Sequence, residues 1–136
     1  MEPRRQFRLP AEDQPALDRL GLRWETLVDQ KRQWVVISDF TLPSGFIQAT
    51  AHLAIEINGA YPVGPLDMAY FSPALCMPSG RVIPQTQVTE QIDGRPFQRW
   101  SRHRTSENQW RPGEDSLDTH IDYIVAFLTH ETERGC

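Results

Sequence analysis

The residue types best suited to chemistry are concentrated between Arg95 and Pro112, a segment that we call the arginine strip. It contains two tryptophans, one histidine and five arginines, which are Arg95, Arg99, Arg102, Arg104 and Arg111. In a chain with a formal net charge of -4, this segment locally reverses the sign of the charge. Such a strip can bind an anionic group, support a catalytic group, or stack guanidinium planes on indole rings as part of the packing.

His103 is the candidate of the strip for acid–base chemistry. Its neighbours Arg102 and Arg104 are cationic, and nearby positive charge lowers the pKa of an imidazole. A neutral imidazole can accept a proton or orient a nucleophile. A histidine that only bonds to a loop carbonyl would give the same pattern, so both interpretations stay open.

The other histidines give weaker signals. His52 falls on the outward side of a predicted strand, and we expect it to be exposed. His120 and His130 are ten residues apart in the last predicted helix, so they do not share a face and do not suggest a metal pair.

The candidate thiol nucleophile is Cys76, which lies in a loop flanked by prolines. Loops carry a disproportionate share of reactive residues. The alternative is a small, buried, apolar side chain, which is the usual role of a single cysteine. With Cys136 the chain has two cysteines, too few and too far apart for a disulfide framework or a zinc site.

Trp100 and Trp110 lie among the arginines of the strip. The commonest reason for this mixture is guanidinium stacking that closes a small core, and direct contact with a ligand is the less favoured interpretation.

The elements that must position these residues follow from hydrophobic spacing. Residues 11–20 have an acidic start, apolar positions at helical spacing and Gly21 after them, which predicts a short helix with a glycine stop. Extended runs follow at 23–28, 33–40 and 49–57. The last of these alternates apolar and polar residues as a half-buried strand does, and LPSG at 42–45 indicates a turn before it.

The second half of the chain is rich in proline. Prolines limit the next strand to residues 68–71, and residues 74–87 are predicted to be an irregular connection long enough to suggest a function. Asp93-Gly94 indicates a hairpin within residues 88–104. A final amphipathic helix begins after Pro112 and ends at Gly135, and its apolar positions are Leu117, Ile121, Ile124, Val125 and Leu128.

Sequential strands between two terminal helices predict an α+β fold with an antiparallel β-meander. The length of 136 residues suits one domain, for which we expect flexible ends at 1–9 and 132–136. The absence of a long apolar run and of a signal-like start predicts a cytoplasmic protein without membrane contact. The pI near 5.5 argues against nucleic-acid binding. A small-anion or nucleic-acid binder that uses the strip arginines remains the remotest alternative.

Several well-known motifs do not occur in the sequence. There is no glycine-rich phosphate loop, no G-x-S-x-G, no H-E-x-x-H and no Cys-x-x-Cys. We therefore expect no cofactor and no metal.

Four segments carry a resemblance that spacing alone does not supply. They are LPSGF at 42–46, YPVGPLDMAYFSP at 61–73, PFQRWSRHR at 96–104 and WRPGEDSLDTHI at 110–121. Together with the order of the elements, they resemble prokaryotic family E of the ubiquitin-conjugating superfamily, over nearly the whole chain. The resemblance implies the fold of a ubiquitin-conjugating enzyme.

The resemblance also implies a bacterial pathway of protein modification. The partners would be a ubiquitin-activating-type enzyme, a ubiquitin-like modifier and a target protein. The reaction would accept the C-terminus of the modifier as a thioester on cysteine and transfer it to an amine. Cationic residues near the cysteine would favour its thiolate, and His103 would orient the amine or hold the oxyanion.

The sequence departs from the family pattern at the nucleophile. The cysteine of well-characterised conjugating enzymes lies beyond an HPN motif, whereas this sequence has no HPN and holds Ile83 or Pro84 at the corresponding place. Cys76 lies about seven residues earlier. The alternatives are a remodelled loop that presents Cys76, a non-standard carrier that uses Ser101 or His103, and a non-catalytic adaptor. In the adaptor, an acidic partner surface would dock on the candidate binding residues Arg99, Arg102, Arg104 and Arg111.

Overall fold

The computed structural model describes residues 2–134. Two helices lie at the two ends of the described chain, with six strands between them. The elements are α1 (Asp13–Arg19), β1 (Trp24–Asp29), β2 (Arg32–Thr41), β3 (Thr50–Glu56), β4 (Ala69–Ser72), β5 (Thr89–Ile92), β6 (Arg95–Trp100) and α2 (Leu117–Glu133). The predicted α+β class, with a helix at each end of an antiparallel sheet, is confirmed.

The strand order of the sheet is β1-β2-β3-β4-β6-β5, so the meander holds for the first four strands only. The predicted hairpin of β5 and β6 forms, and both turn residues, Asp93 and Gly94, have the positive φ of 54° and 74° that a type I′ turn needs. The second strand of the hairpin, however, pairs with β4, because the long loop at 73–88 leads the chain past that position to the sheet edge. The first six residues of the arginine strip, Arg95–Trp100, thus form an interior strand.

Sequence signals explain where the helices begin and end. Gly21, at φ +70°, follows α1 as the predicted glycine stop. Before α2, the backbone N–H of Ser116 donates to Oγ1 of Thr119 at 2.9 Å, as at a capped helix start. The predicted stop at Gly135 lies outside the described residues.

The first residues of the chain run beside β1. The N–H of Gln6 donates to the carbonyl of Thr26 at 2.9 Å, and the N–H of Thr26 donates to the carbonyl of Arg4 at 3.1 Å. Residues 4–6, for which the sequence predicted flexibility, therefore lie against an edge strand. The predicted flexible segment at the other end overlaps α2, which continues to Glu133.

The main core lies between the two helices and one face of the sheet. Its fully buried members include Leu17, Leu53, Phe71, Trp100 and Leu128. A second cluster, formed by Trp34, Ala54, Tyr70, Ile92 and Phe97, contains the strand residues that alternate with the first set. The prediction of a half-buried β3 holds except at Ala54, which lies on the predicted outward face and is as buried as Leu53.

Two positions differ from the predicted burial, and a third is buried where no prediction was made. His52 is half-buried rather than exposed, and its Nδ1 lies 3.4 Å from the backbone nitrogen of Asp39, beside an irregularity in β2. Val125 lies at the edge of the apolar face of α2 and is 37% exposed. His120, whose burial was not predicted, is completely buried.

Among residues 2–134, no helix is both long enough and apolar enough to cross a membrane.

Candidate functional site

The loop between β4 and β5 carries Cys76. As predicted, residues 74–87 form neither helix nor strand. The Cys76 side chain is exposed, and its Sγ lies 3.6 Å from the carbonyl oxygen of Ala74. The structure therefore corrects the alternative of a buried structural cysteine, and it leaves the thiol accessible to another molecule.

One glutamine holds the backbone that leads into Cys76. Gln48, in the loop between β2 and β3, accepts the N–H of Cys76 at 3.1 Å and donates to the carbonyl of Ala74 at 2.8 Å. The neighbouring Ile47 N–H donates to the carbonyl of Cys76 at 2.8 Å. The two loops are thus joined where the thiol is presented.

A second glutamine connects the same loop to the arginine strip. Oε1 of Gln98, in β6, accepts the N–H of Leu75 at 2.9 Å and the indole N–H of Trp100 at 2.9 Å. The Trp100 ring is buried and stacks on Phe127 with centroids 5.9 Å apart. The strip therefore supports the Cys76 loop by packing, through Trp100 and Gln98.

A buried carboxylate fastens the second half of the loop to α2. Glu131, 2% exposed, accepts a hydrogen bond from Arg81 at 2.7 Å and faces Arg102 at 3.4 Å. Arg81 also donates to the carbonyl of Glu131 at 2.8 Å, and Arg102 donates to the carbonyl of Pro84 at 2.9 Å. Two arginines on one carboxylate satisfy its charge, as burial demands.

Cys76 lies on the wall of an open cleft of about 250 Å³. The cleft is lined by Leu75, Cys76, Met77, Gly80, Arg81, Val82, Ile83, Thr86 and Gln98. Val82 on its wall is 73% exposed, and Ile47 beside Cys76 is 64% exposed. The lining thus combines apolar side chains with a few polar ones next to a nucleophilic atom.

The structure brings Ser101 and His103 together, but not into the cleft of Cys76. Ser101 Oγ lies 3.2 Å from His103 Nε2, and His103 Nδ1 lies 2.8 Å from Oδ2 of Asp67. Asp67 lies just before β4, and nothing in the sequence singled it out. A hydroxyl, an imidazole and a carboxylate in this order have the connectivity of a nucleophile, a base and a group that orients the base.

Three arginines of the strip are engaged within the fold. Arg102 stacks on Trp100 at 4.8 Å, whereas Arg104 lies between Trp110 at 5.0 Å and Tyr123 at 4.8 Å. Arg111 Nε lies 3.4 Å from Glu114 Oε2, with 68% of its side chain exposed. Burial lowers the pKa of Arg102. These contacts agree with the packing interpretation of the two tryptophans.

Arg99 is the remaining arginine predicted to bind a partner. Its Nε is buried and, within residues 2–134, has no hydrogen-bond partner. Its side chain is half-buried.

His120, in α2, forms a hydrogen bond to the backbone next to Asp67. Its Nε2 donates to the carbonyl of Met68 at 2.9 Å, and Arg104 Nη2 lies 3.4 Å from its Nδ1. Burial lowers the pKa of His120 to about 4, so the ring is neutral near pH 7. Sequence reasoning missed this burial, although the spacing of three and four residues from Leu117 and Ile124 places His120 on the apolar face of α2.

The Tyr61-Pro62 turn links both helices. The Tyr61 hydroxyl donates to Asp13 Oδ2 at 2.6 Å and accepts the N–H of Leu117 at 2.8 Å. Burial and the Asp13 carboxylate raise the pKa of Tyr61, so the hydroxyl stays protonated. Trp110 reaches the same turn and donates to the carbonyl of Pro62 at 3.1 Å.

Within the described residues, no group of three or more His, Cys, Asp or Glu side chains could hold a metal ion. The model of a family described as prokaryotic E2 family E matches residues 9–131 of the chain. No match was found among curated proteins or among solved structures.

Proposed function

This chain belongs to prokaryotic E2 family E, and on that basis we propose that it is a conjugating protein of a bacterial ubiquitin-like pathway. It carries the modifier as a thioester on Cys76 and has the fold of a ubiquitin-conjugating enzyme. Its partners are an activating enzyme, a ubiquitin-like modifier and a target protein, which we place in the cytoplasm. The observation that carries the proposal is the exposed Cys76 thiol on the wall of an open cleft.

The chemistry needs two exchanges at one carbonyl carbon. First, the Cys76 thiolate attacks the thioester between activating enzyme and modifier, a new S–C bond forms, and the thiolate of the activating enzyme leaves. Next, an amine of the target attacks the same carbon, loses a proton, and expels the Cys76 thiolate. Neither exchange consumes an oxidant or a cofactor, because the earlier activation of the modifier supplies the free energy for both.

The surroundings of Cys76 suit a transfer between large partners. The thiol is exposed, so a partner can reach it without a conformational change that uncovers it. The clamps by Gln48 and Gln98 fix the backbone of residues 74–76, which limits the conformational entropy lost on binding. Exposed Ile47 and Val82 beside the cleft offer apolar contact to the chain end of a modifier.

The experiment is an incubation with the activating enzyme, the modifier and ATP, followed by electrophoresis with and without reductant. The proposal expects an adduct that reductant removes in the wild type and in Cys136→Ser. In Cys76→Ser the adduct either disappears or becomes an oxyester that resists reductant. An unchanged, reductant-sensitive adduct in Cys76→Ser would disprove the assignment of Cys76.

A second candidate function is a non-catalytic adaptor that binds the activating enzyme or the modifier. The observation in its favour is that Cys76 Sγ faces the carbonyl of Ala74, which accepts an S–H but does not stabilise a thiolate. The exposed Arg111 and the half-buried Arg99, Arg102 and Arg104 would then help to dock an acidic surface. This function predicts binding to the activating enzyme that is equal for wild type and Cys76→Ala, with no adduct in either.

A further inference from the structure

We infer that Ser101, His103 and Asp67 form a second acyl-accepting site, at which the Ser101 hydroxyl attacks activated esters and thioesters. This site is separate from the cleft of Cys76, because none of the three residues lines that cleft. The inference therefore stands whether or not Cys76 carries a modifier.

The hydrogen bonds fix the direction in which a proton can move. The Asp67 carboxylate can only accept, so the 2.8 Å contact requires a proton on His103 Nδ1. In the neutral ring Nε2 is then the acceptor, and at 3.2 Å it faces the Ser101 hydroxyl. This is the arrangement in which an imidazole removes the hydroxyl proton during attack and the carboxylate stabilises the imidazolium.

Ser101, His103 and the residue after Asp67 are each held by a contact outside the group. The Ser101 N–H donates to the carbonyl of Gln85 at 3.0 Å, and the Tyr123 hydroxyl donates to the carbonyl of His103 at 3.1 Å. Buried His120 holds the carbonyl of Met68, the residue after Asp67, at 2.9 Å. A nucleophile and its base need such fixed supports to keep a productive geometry.

The backbone beside Asp67 is in an uncommon conformation. Met68 has φ +60°, a region that a long side chain rarely adopts. Such a residue costs free energy and persists where the surroundings enforce it, often at functional sites. Here it turns the chain between Asp67 and β4.

Exposure defines the class of substrate. The side chain of His103 is 62% exposed and that of Asp67 is 40% exposed, so the site has no walls that would enclose a small molecule. It suits an acyl group that is already activated and presented from solvent, such as a small ester or a thioester at the end of a chain. Specific recognition of the acyl group would have to come from its carrier.

The transfer of the acyl group to Ser101 needs no further reactant. Ser101 Oγ forms a bond to the acyl carbon while its proton passes to His103 Nε2. The bond from the carbon to the leaving oxygen or sulfur breaks, and the imidazolium returns the proton to that leaving group. The product is an ester on Ser101 and a free alcohol or thiol.

The test uses the full chain with p-nitrophenyl acetate, and peptide mass mapping measures the rate at which each serine gains an acetyl group. Ser106, exposed in the same loop, is the internal reference. We expect Ser101 to react at least about tenfold faster than Ser106. His103→Ala should reduce the Ser101 rate to that of Ser106, and Ser106→Ala should leave the Ser101 rate unchanged.

Asp67 is a positioning residue. Its role is tested by asking whether a substitution that keeps the carboxylate recovers the acetylation rate of Ser101. Asp67→Asn should lower the Ser101 rate at least about tenfold, because an amide does not fix the required tautomer. Asp67→Glu, which keeps the carboxylate, should recover part of the rate. Equal acetylation of Ser101 and Ser106, or a Ser101 rate that is unchanged in His103→Ala, would overturn the inference. Since the assay contains neither modifier nor ATP, these outcomes are independent of the proposed conjugating function.

Discussion

Oε1 of Gln98 lies 2.9 Å from the backbone nitrogen of Leu75, the residue before the exposed Cys76. The same oxygen accepts the indole N–H of the buried Trp100, also at 2.9 Å. The candidate nucleophile is therefore connected to the core by two hydrogen bonds on one atom. Through this connection the arginine strip supports the loop of Cys76 by packing, with no charged group of the strip directed at the thiol in the described cleft.

Replacing Gln98 by alanine should destabilise the protein, because the Leu75 N–H and the Trp100 N–H would lose their acceptor. We expect the free energy of unfolding to fall by about 1–3 kcal/mol, the usual cost of unsatisfied buried donors. Urea denaturation measures it. Gln91→Ala, which removes an exposed glutamine from the adjacent strand β5, is the control and should change stability by less than about 0.5 kcal/mol. Equal losses of unfolding free energy in the two variants would contradict this role of Gln98.

Glu131→Gln should cost about 3 kcal/mol of unfolding free energy, because it leaves Arg81 and Arg102 without their shared buried charge. The loss should appear in thermal and urea unfolding. It should also raise the rate of proteolysis within residues 77–88, since Glu131 fastens that part of the loop to α2. Glu133→Gln changes an exposed residue of the same helix and should leave both measurements close to those of the wild type.

The stability of the protein should fall as the pH drops from 6.5 towards 4, because of His120. Burial lowers its pKa from 6.5 to about 4 in the folded state. Between these values the unfolded chain binds a proton that the folded chain does not bind, so protonation favours unfolding. The contribution is fully present above pH 6.5 and decreases by up to about 3 kcal/mol at pH 4.

Urea denaturation at a series of pH values measures this dependence. His120→Gln keeps an N–H donor for the Met68 carbonyl but cannot titrate, so its stability should vary less in this window. His130→Gln, an exposed histidine of the same helix, should retain the slope of the wild type. Identical slopes in wild type and His120→Gln would show that His120 is not the responsible group.

Much of the fold could be predicted from local patterns. Gly21, Asp93-Gly94 and the apolar spacing of α2 each act within a few residues, and each marks the element that it predicted. The order of the last two strands could not be predicted, because it depends on the path of the long loop before them. The burial of Ala54 on a second face depended on the packing of Trp34 against Tyr70, whose centroids are 5.0 Å apart.

The reactive residues of the candidate site could be predicted from the sequence, but the residues that hold them in place could not. Cys76, Ser101 and His103 stand out by residue type. Their partners act across long separations: Gln48 lies 28 residues from Cys76, and Asp67 lies 36 residues from His103. A glutamine or an aspartate in a polar segment carries no local signal that it will bond to such a distant group.

The most direct test of the central claim is the intact mass of the protein after incubation with the activating enzyme, the modifier and ATP. We expect a mass increase equal to the modifier less one water, which is retained in Cys136→Ser and absent in Cys76→Ala. An increase that persists in Cys76→Ala would contradict the claim. So would an unmodified wild-type protein in a reaction where the activating enzyme has formed its own thioester.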